Sequence, residues 1–122
     1  MDKYQYIIEL GQQLPGLPEA DKQEDNIVHG CQSQVWLTAA FNDGNVAFGA
    51  DSDAIITKGL IAMLVRVLSG HTPTEVLNAQ LSFVDKIGIR DHLSPTRSNG
   101  LNAMIKKMKY YALGLTVQQK GN

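Results

Sequence analysis

Cysteine is almost missing from this chain: Cys31 is the single one among 122 residues. One cysteine closes no disulfide within the chain, and alone it cannot hold a metal centre. Chemistry at Cys31 therefore uses one sulfur atom, as a nucleophile or a carrier. An excess of either charge is missing too. Eleven Lys and Arg stand against 12 Asp and Glu, for a net charge of −1, so there is no basic cluster to grip nucleic acid. Long apolar runs are also missing. The most apolar stretch, Ala54 to Leu68, contains Thr57, Lys58 and Arg66, and is too short and too charged to cross a bilayer. The opening Met1-Asp2-Lys3-Tyr4 lacks the basic-then-apolar layout of a secretion signal. With a lone thiol, this predicts a protein of the reducing cytoplasm. No glycine-rich phosphate loop, Gly-x-Ser-x-Gly or His-Glu-x-x-His occurs. His29, His71 and His92 are too scattered for a ligand set, so neither a metal nor a bound cofactor is expected.

What is there reads as a globular α+β chain, one domain over residues 1–122. The composition, 43% hydrophobic and 19% charged, excludes a disordered polymer and supplies a core. Residues 2–13 predict a helix, with Gly11 weakening its end. Leu14-Pro15-Gly16-Leu17-Pro18 breaks it. The acidic run of residues 19–25 reads as solvated surface. Residues 33–42 alternate as a strand, with Val35, Leu37, Ala39 and Phe41 on one face. Asn42-Asp43-Gly44-Asn45 is a hairpin turn, and Val46, Phe48 and Ala50 return as a second strand. Ile27 to His29 offers a short third. Asp51-Ser52-Asp53 supplies capping oxygens for a helix over 54–69, which Gly70 ends. Thr72-Pro73-Thr74-Glu75 is a capping box opening a short helix. Leu81, Phe83, Val84 and Ile87 predict another, ending near Gly88. The last helix opens at Ser94–Ser98, buries Leu101, Met104, Ile105, Met108 and Leu115, and wets Lys106, Lys107 and Lys109. Strands early and helices around them predict a small antiparallel sheet of two to three strands packed by helices.

Three groups carry candidate chemistry. Gly30, with its freedom at positive φ, allows a bend that presents Cys31 at the tip of a turn entering a strand. From the residues alone, Cys31 reads either as a nucleophile or as core filling, since free cysteine is among the most buried residue types. His29 lies two residues away and reads as a surface histidine or as a base for Cys31. Asp51 and Asp53 form a carboxylate pair that the capping role also explains. Arg97, at a helix start, is available to stabilise an anionic sulfur or to pair on the surface.

Gly30-Cys31-Gln32-Ser33-Gln34-Val35-Trp36 closely resembles the cysteine-loop signature of the SufE proteins, sulfur acceptors for cysteine desulfurases. Three further blocks agree in order and spacing. Tyr4 to Pro15 resembles the family's Y-x-x-I-x-x-L-G-x-x-L-P opening. Asp51-Ser52-Asp53 followed by Lys58-Gly59-Leu60 resembles its G-D-S-D and K-G-L block. Leu93 to Leu101 resembles its L-S/T-x-S/T-R-S-x-G-L block. Ala50 stands where the family often has Gly, and the extra helical segment that many relatives carry before the opening block does not appear here.

The resemblance implies a fold shared with IscU-type scaffolds and a sulfur relay without independent turnover. A pyridoxal-phosphate cysteine desulfurase (SufS- or CsdA-like) would load Cys31 as a persulfide. Cys31 would stimulate that enzyme and pass the sulfur to a SufBCD-like iron–sulfur scaffold. Arg97 would stabilise the charged sulfur, and Gly30, Gln32 and Ser33 would form the moving loop. The rival readings are an iron–sulfur scaffold, which takes about four ligands where this chain has one thiol, a stand-alone Cys-dependent transferase or hydrolase, and a binding module with an inert Cys31.

Overall fold

A computed structural model describes residues 3–79 and 93–121 of the chain. Helix α1, Lys3–Gln13, is followed by two 3₁₀ turns, Glu19–Asp21 and Glu24–Asn26. Strands β1, Val35–Asn42, and β2, Asn45–Ser52, form a two-stranded antiparallel hairpin. Helices α2, Ile55–Leu68, α3, Pro73–Asn78, and α4, Pro95–Gly121, complete the described architecture. The chain is α+β, with the small sheet packed by helices. The short helix expected from Leu81 to Gly88 lies outside the described residues.

The hairpin follows from its turn. Asp43 and Gly44 both take positive φ, 54° and 83°, which is what a two-residue loop matched to the strand twist requires. The register pairs Val35 with Ser52 and Asn42 with Asn45, so Val35, Leu37, Val46, Phe48 and Ala50 share the face that is buried. Helix α2 packs on β2 and α4 on β1, and the two helices touch each other. At the hairpin tip Phe41, expected on the core face, is 43% exposed, although Val46 opposite it is fully buried and bonded to His71. The expected third strand reduces to an isolated bridge between Ile27 and Trp36.

Leu60, Ile61, Leu64 and Leu68 of α2 meet Leu101, Met104 and Met108 of α4 within one core. Each such side chain contributes roughly 1.5–3 kcal/mol by leaving water. Helix α1 approaches α2 backbone to backbone. A Cβ on Gly11 would lie 2.9 Å from the Gly59 nitrogen, and one on Gly59 would land on the Ile7 carbonyl. The helix runs to Gln13 as expected, and Gly11, which the sequence marked only as weakening its end, makes room for the neighbouring helix. The helix at Thr72 forms as expected, with Thr72 and Glu75 exchanging both capping-box bonds. The lysines of α4 are less wet than expected: Lys107 Nζ donates to the Asp25 carbonyl and Lys109 Nζ to that of Ala79. Tyr111 Oη donates to the Leu37 carbonyl at 3.0 Å, which ties α4 to β1.

Candidate functional site

Cys31 lies in a loop between two pins. Before it, the Val28 amide donates to the Val35 carbonyl at 2.8 Å. After it, Gln34 is held on both sides of its peptide: its amide donates to Asp53 Oδ1 at 3.1 Å, and its carbonyl accepts from Ser52 Oγ at 2.8 Å. The expected capping role is thus overturned for the Asp51 and Asp53 carboxylates, and of the triplet Ser52 Oγ reaches the helix start, accepting from the Ala54 amide at 3.3 Å. Helix α2 has Ala54 as its N-cap and no side-chain cap. The carboxylates are engaged elsewhere: Asp53 holds the Gln34 amide ahead of β1, and Asp51 holds the segment after α1. Asp51 accepts from the amides of Leu17 and Ser52 and pairs with Lys22 at 3.3 Å and Lys58 at 3.4 Å.

Between the pins, Gly30 takes φ 101°, a conformation that side chains resist, and this turns the chain so that Cys31 faces α4. Among the described residues, the tie from residues 29–33 to the rest of the molecule is the Cys31 thiol, which donates to the Gly100 carbonyl at 3.6 Å. The cysteine is half-buried, and burial pushes its thiol above the ordinary value.

Cys31 also lines a cavity of about 400 Å3. Its wall brings together Cys31, Gln32, Ser33 and Arg97, which the sequence singled out, with Asp53, Ala54, Ile55, Ile56, Thr57, Gly100 and Met104, most of which it did not. The first turns of α2 and α4 both border this space. At α2 the first amides have no side-chain acceptor, and such orphan donors give a helix start its positive character. Ser94 Oγ caps α4 by accepting from the Arg97 amide at 3.2 Å. The Arg97 side chain is exposed and makes no ion pair among the described residues. His29 lines a separate groove with Lys106 and Tyr110, so the structure does not couple it to Cys31. Among the described residues no group of three or more His, Cys, Asp or Glu could hold a metal ion, and no helix is long and apolar enough to cross a membrane.

Two of these residues were beyond sequence reasoning in different ways. Gly100 lies 69 positions from Cys31, and its signal was a glycine interrupting a helical stripe. Asp51 announced itself as a cap and proved a buried anchor, 8% exposed.

The family model described as SufE: Fe-S metabolism associated domain matches residues 1–112. An uncharacterised SufE-like protein of Rhizobium meliloti (strain 1021) is 42% identical over 118 residues, covering 93% of this chain and 84% of the relative. The solution structure of a hypothetical protein from Thermus thermophilus superposes with a TM-score of 0.77 at 24% identity, over 96% of this chain and 88% of that one, and shares the fold. Cysteine loop, cavity and the two helix starts around them therefore have their place in a known group: the chain belongs to the SufE family, whose domain is associated with Fe–S metabolism.

Proposed function

We propose that this protein is a sulfur carrier: Cys31 accepts sulfane sulfur from the persulfide of a cysteine desulfurase and hands it to an iron–sulfur assembly scaffold. The observation that carries this reading is the thiol of Cys31 at the wall of a cavity that Arg97 and the start of α2 also line. The Cys31 thiolate attacks the outer sulfur of the donor. A bond from Sγ to that sulfur forms, the donor's S–S bond breaks, and the donor thiolate leaves with the electron pair. The proton shed by Cys31 is balanced by one taken up by the donor thiolate, and no net oxidation occurs. Such exchange needs one thiolate and one accessible sulfur, without metal or resident cofactor. Pyridoxal phosphate belongs to the partner.

The charge of the loaded sulfur suits its surroundings. Arg97 and the orphan amides of α2 favour an anion, and the single carboxylate on the wall, Asp53, is engaged by Gln34. At rest the raised thiol is protonated, so a donor engages Cys31 after the loop has turned outward. Gly30 is the hinge, and Gln32 and Ser33 move with it. The chain acts as one domain in the cytoplasm and as an accessory to its desulfurase, which it stimulates. Mixing the protein with a cysteine desulfurase and cysteine should add the mass of one sulfur atom, and Cys31→Ser should add none. Normal sulfur acceptance by Cys31→Ser refutes the reading.

A further inference from the structure

The loop at Gly30 and Cys31 rests along one face of α4, on Gly100 and Ala103. Both contacts are close. A Cβ on Gly30 would come within 3.2 Å of the Ala103 Cβ, and a Cβ on Gly100 within 3.2 Å of Cys31 Sγ and 3.8 Å of its Cα. Gly100 is buried inside a helix, where glycine costs about 1 kcal/mol relative to alanine. Its missing side chain makes a seat for the sulfur, and its carbonyl accepts the S–H.

We propose that Gly100 is a positioning residue that seats Cys31 only as an unloaded, protonated thiol, so that a loop opened to take sulfur cannot return to its seat and loading keeps it released. A carbonyl oxygen accepts and never donates, so it attracts an S–H and faces lone pairs once that hydrogen is gone. Loading replaces the hydrogen: Sγ bonds the incoming sulfur, the donor's S–S bond breaks, and the proton goes through solvent to the donor thiolate. Sγ then has nothing to offer Gly100. Along the S–H direction the added atom has no room: an S–S bond of about 2.05 Å pointing down the 3.6 Å line from Sγ would run into the Gly100 carbonyl oxygen. The open direction is the cavity, where the charged groups facing Cys31 among the described residues are Arg97 from α4 and Asp53 ahead of α2. The release step rests on the carrier reading; the thiol-selective seat does not.

The test is alkylation of the full chain by iodoacetamide over a pH series, in the wild type, Gly100→Ala and Gly114→Ala. Gly100→Ala should react roughly fivefold to tenfold faster at neutral pH, the change an ordinary hydrogen bond carries, with its pH midpoint moved down toward that of a free cysteine. Gly114→Ala, whose Cβ meets nothing within 4 Å, should match the wild type. Unchanged rate and midpoint in Gly100→Ala overturn the seat. Should that variant fail to fold, the wild type carries the test. Inorganic polysulfide loads Cys31 by giving up one sulfur atom, and the backbone 15N order parameters of residues 29–33 are then followed. They should fall on loading and recover with dithiothreitol; equal order parameters in both forms overturn the release. Polysulfide bypasses the protein donor, so failure to load from a desulfurase would count against the carrier reading and leave this result standing.

Discussion

The corner at Asp51 and the corner at Cys31 are fastened two residues apart in the chain, at Asp51 and at Asp53, and are built on opposite plans. The Asp51 carboxylate is buried and engaged four times over, by the Leu17 and Ser52 amides and by Lys22 and Lys58. Lys22 in turn lies over the Trp36 ring at 5.2 Å. One side chain thereby fastens the segment after α1, the hairpin and α2. The Cys31 loop is held to α4 by one long S–H bond and by contact between small residues. Redundant bonding resists any single loss, and a single weak bond permits opening without cost to the rest. The frame is thus bonded several times over at Asp51, and the cysteine loop is loosely tied.

The comparison can be broken most severely at the cysteine. Cys31→Ser should lose all sulfur acceptance by intact mass while its thermal midpoint stays at the wild-type value; a large fall in that midpoint would mean the loop is part of the frame. Gly59→Ala should do the reverse. Its Cβ lands on the Ile7 carbonyl, and overpacking of this kind costs about 3 kcal/mol, read as a lower midpoint in urea. Asp51→Ala should cost about 2 kcal/mol, since it strands amides and ammonium groups that the carboxylate satisfied. Unchanged stability there would demote the anchor to an ordinary surface pair.

Acid and alkali should separate the two corners. Burial alone would raise the Asp51 carboxyl, but the amides of Leu17 and Ser52 with Lys22 and Lys58 outweigh it and hold the group below the usual carboxylate range. Its stabilisation is therefore complete above the unfolded value of about 4 and is lost as pH falls through the lower folded one. The wild type and Asp51→Asn should differ at neutral pH and converge in acid. The thiol runs the other way. Burial raises it, so its contribution is complete below the unfolded value of about 8.5 and fades as pH rises through the folded one. The wild type should weaken in alkali relative to Cys31→Ser. The smallest effect is expected at Asp53→Ala, which frees the Gln34 amide: Cys31 alkylation should quicken a few-fold, as the loss of one exposed hydrogen bond allows, with the thermal midpoint unmoved.

Local rules were legible where local physics decides. Asp43 and Gly44 announce a turn because few residues accept positive φ. Thr72 and Glu75 announce a helix start because the two bonds they exchange lie within one turn. The α2 stripe announces a buried helix because its period is that of the backbone. Rules failed where a partner arrives from elsewhere in the chain. Asp51 and Asp53 resemble caps in sequence, yet Lys22, Leu17 and Gln34 reach them first. Gly11 looks like a weak helix end until Gly59 is set against it. Ile27 to His29 has strand character, but one bridge to Trp36 is all the hairpin edge accepts. At the site, chemistry alone marked Cys31 and Arg97 as candidates with two readings each, and the resemblance of four sequence blocks decided between them for Cys31. Gly100 carried no mark, because a glycine offers a carbonyl and an empty space, and neither has a letter of its own.

The raised thiol has a consequence for the protein at rest. Peroxide and stray disulfides attack sulfur in proportion to its thiolate character and its exposure, and the pose on α4 reduces both. The seated molecule is thereby spared sulfinic damage and mixed adducts with bystander proteins, and its lone thiol stays reduced.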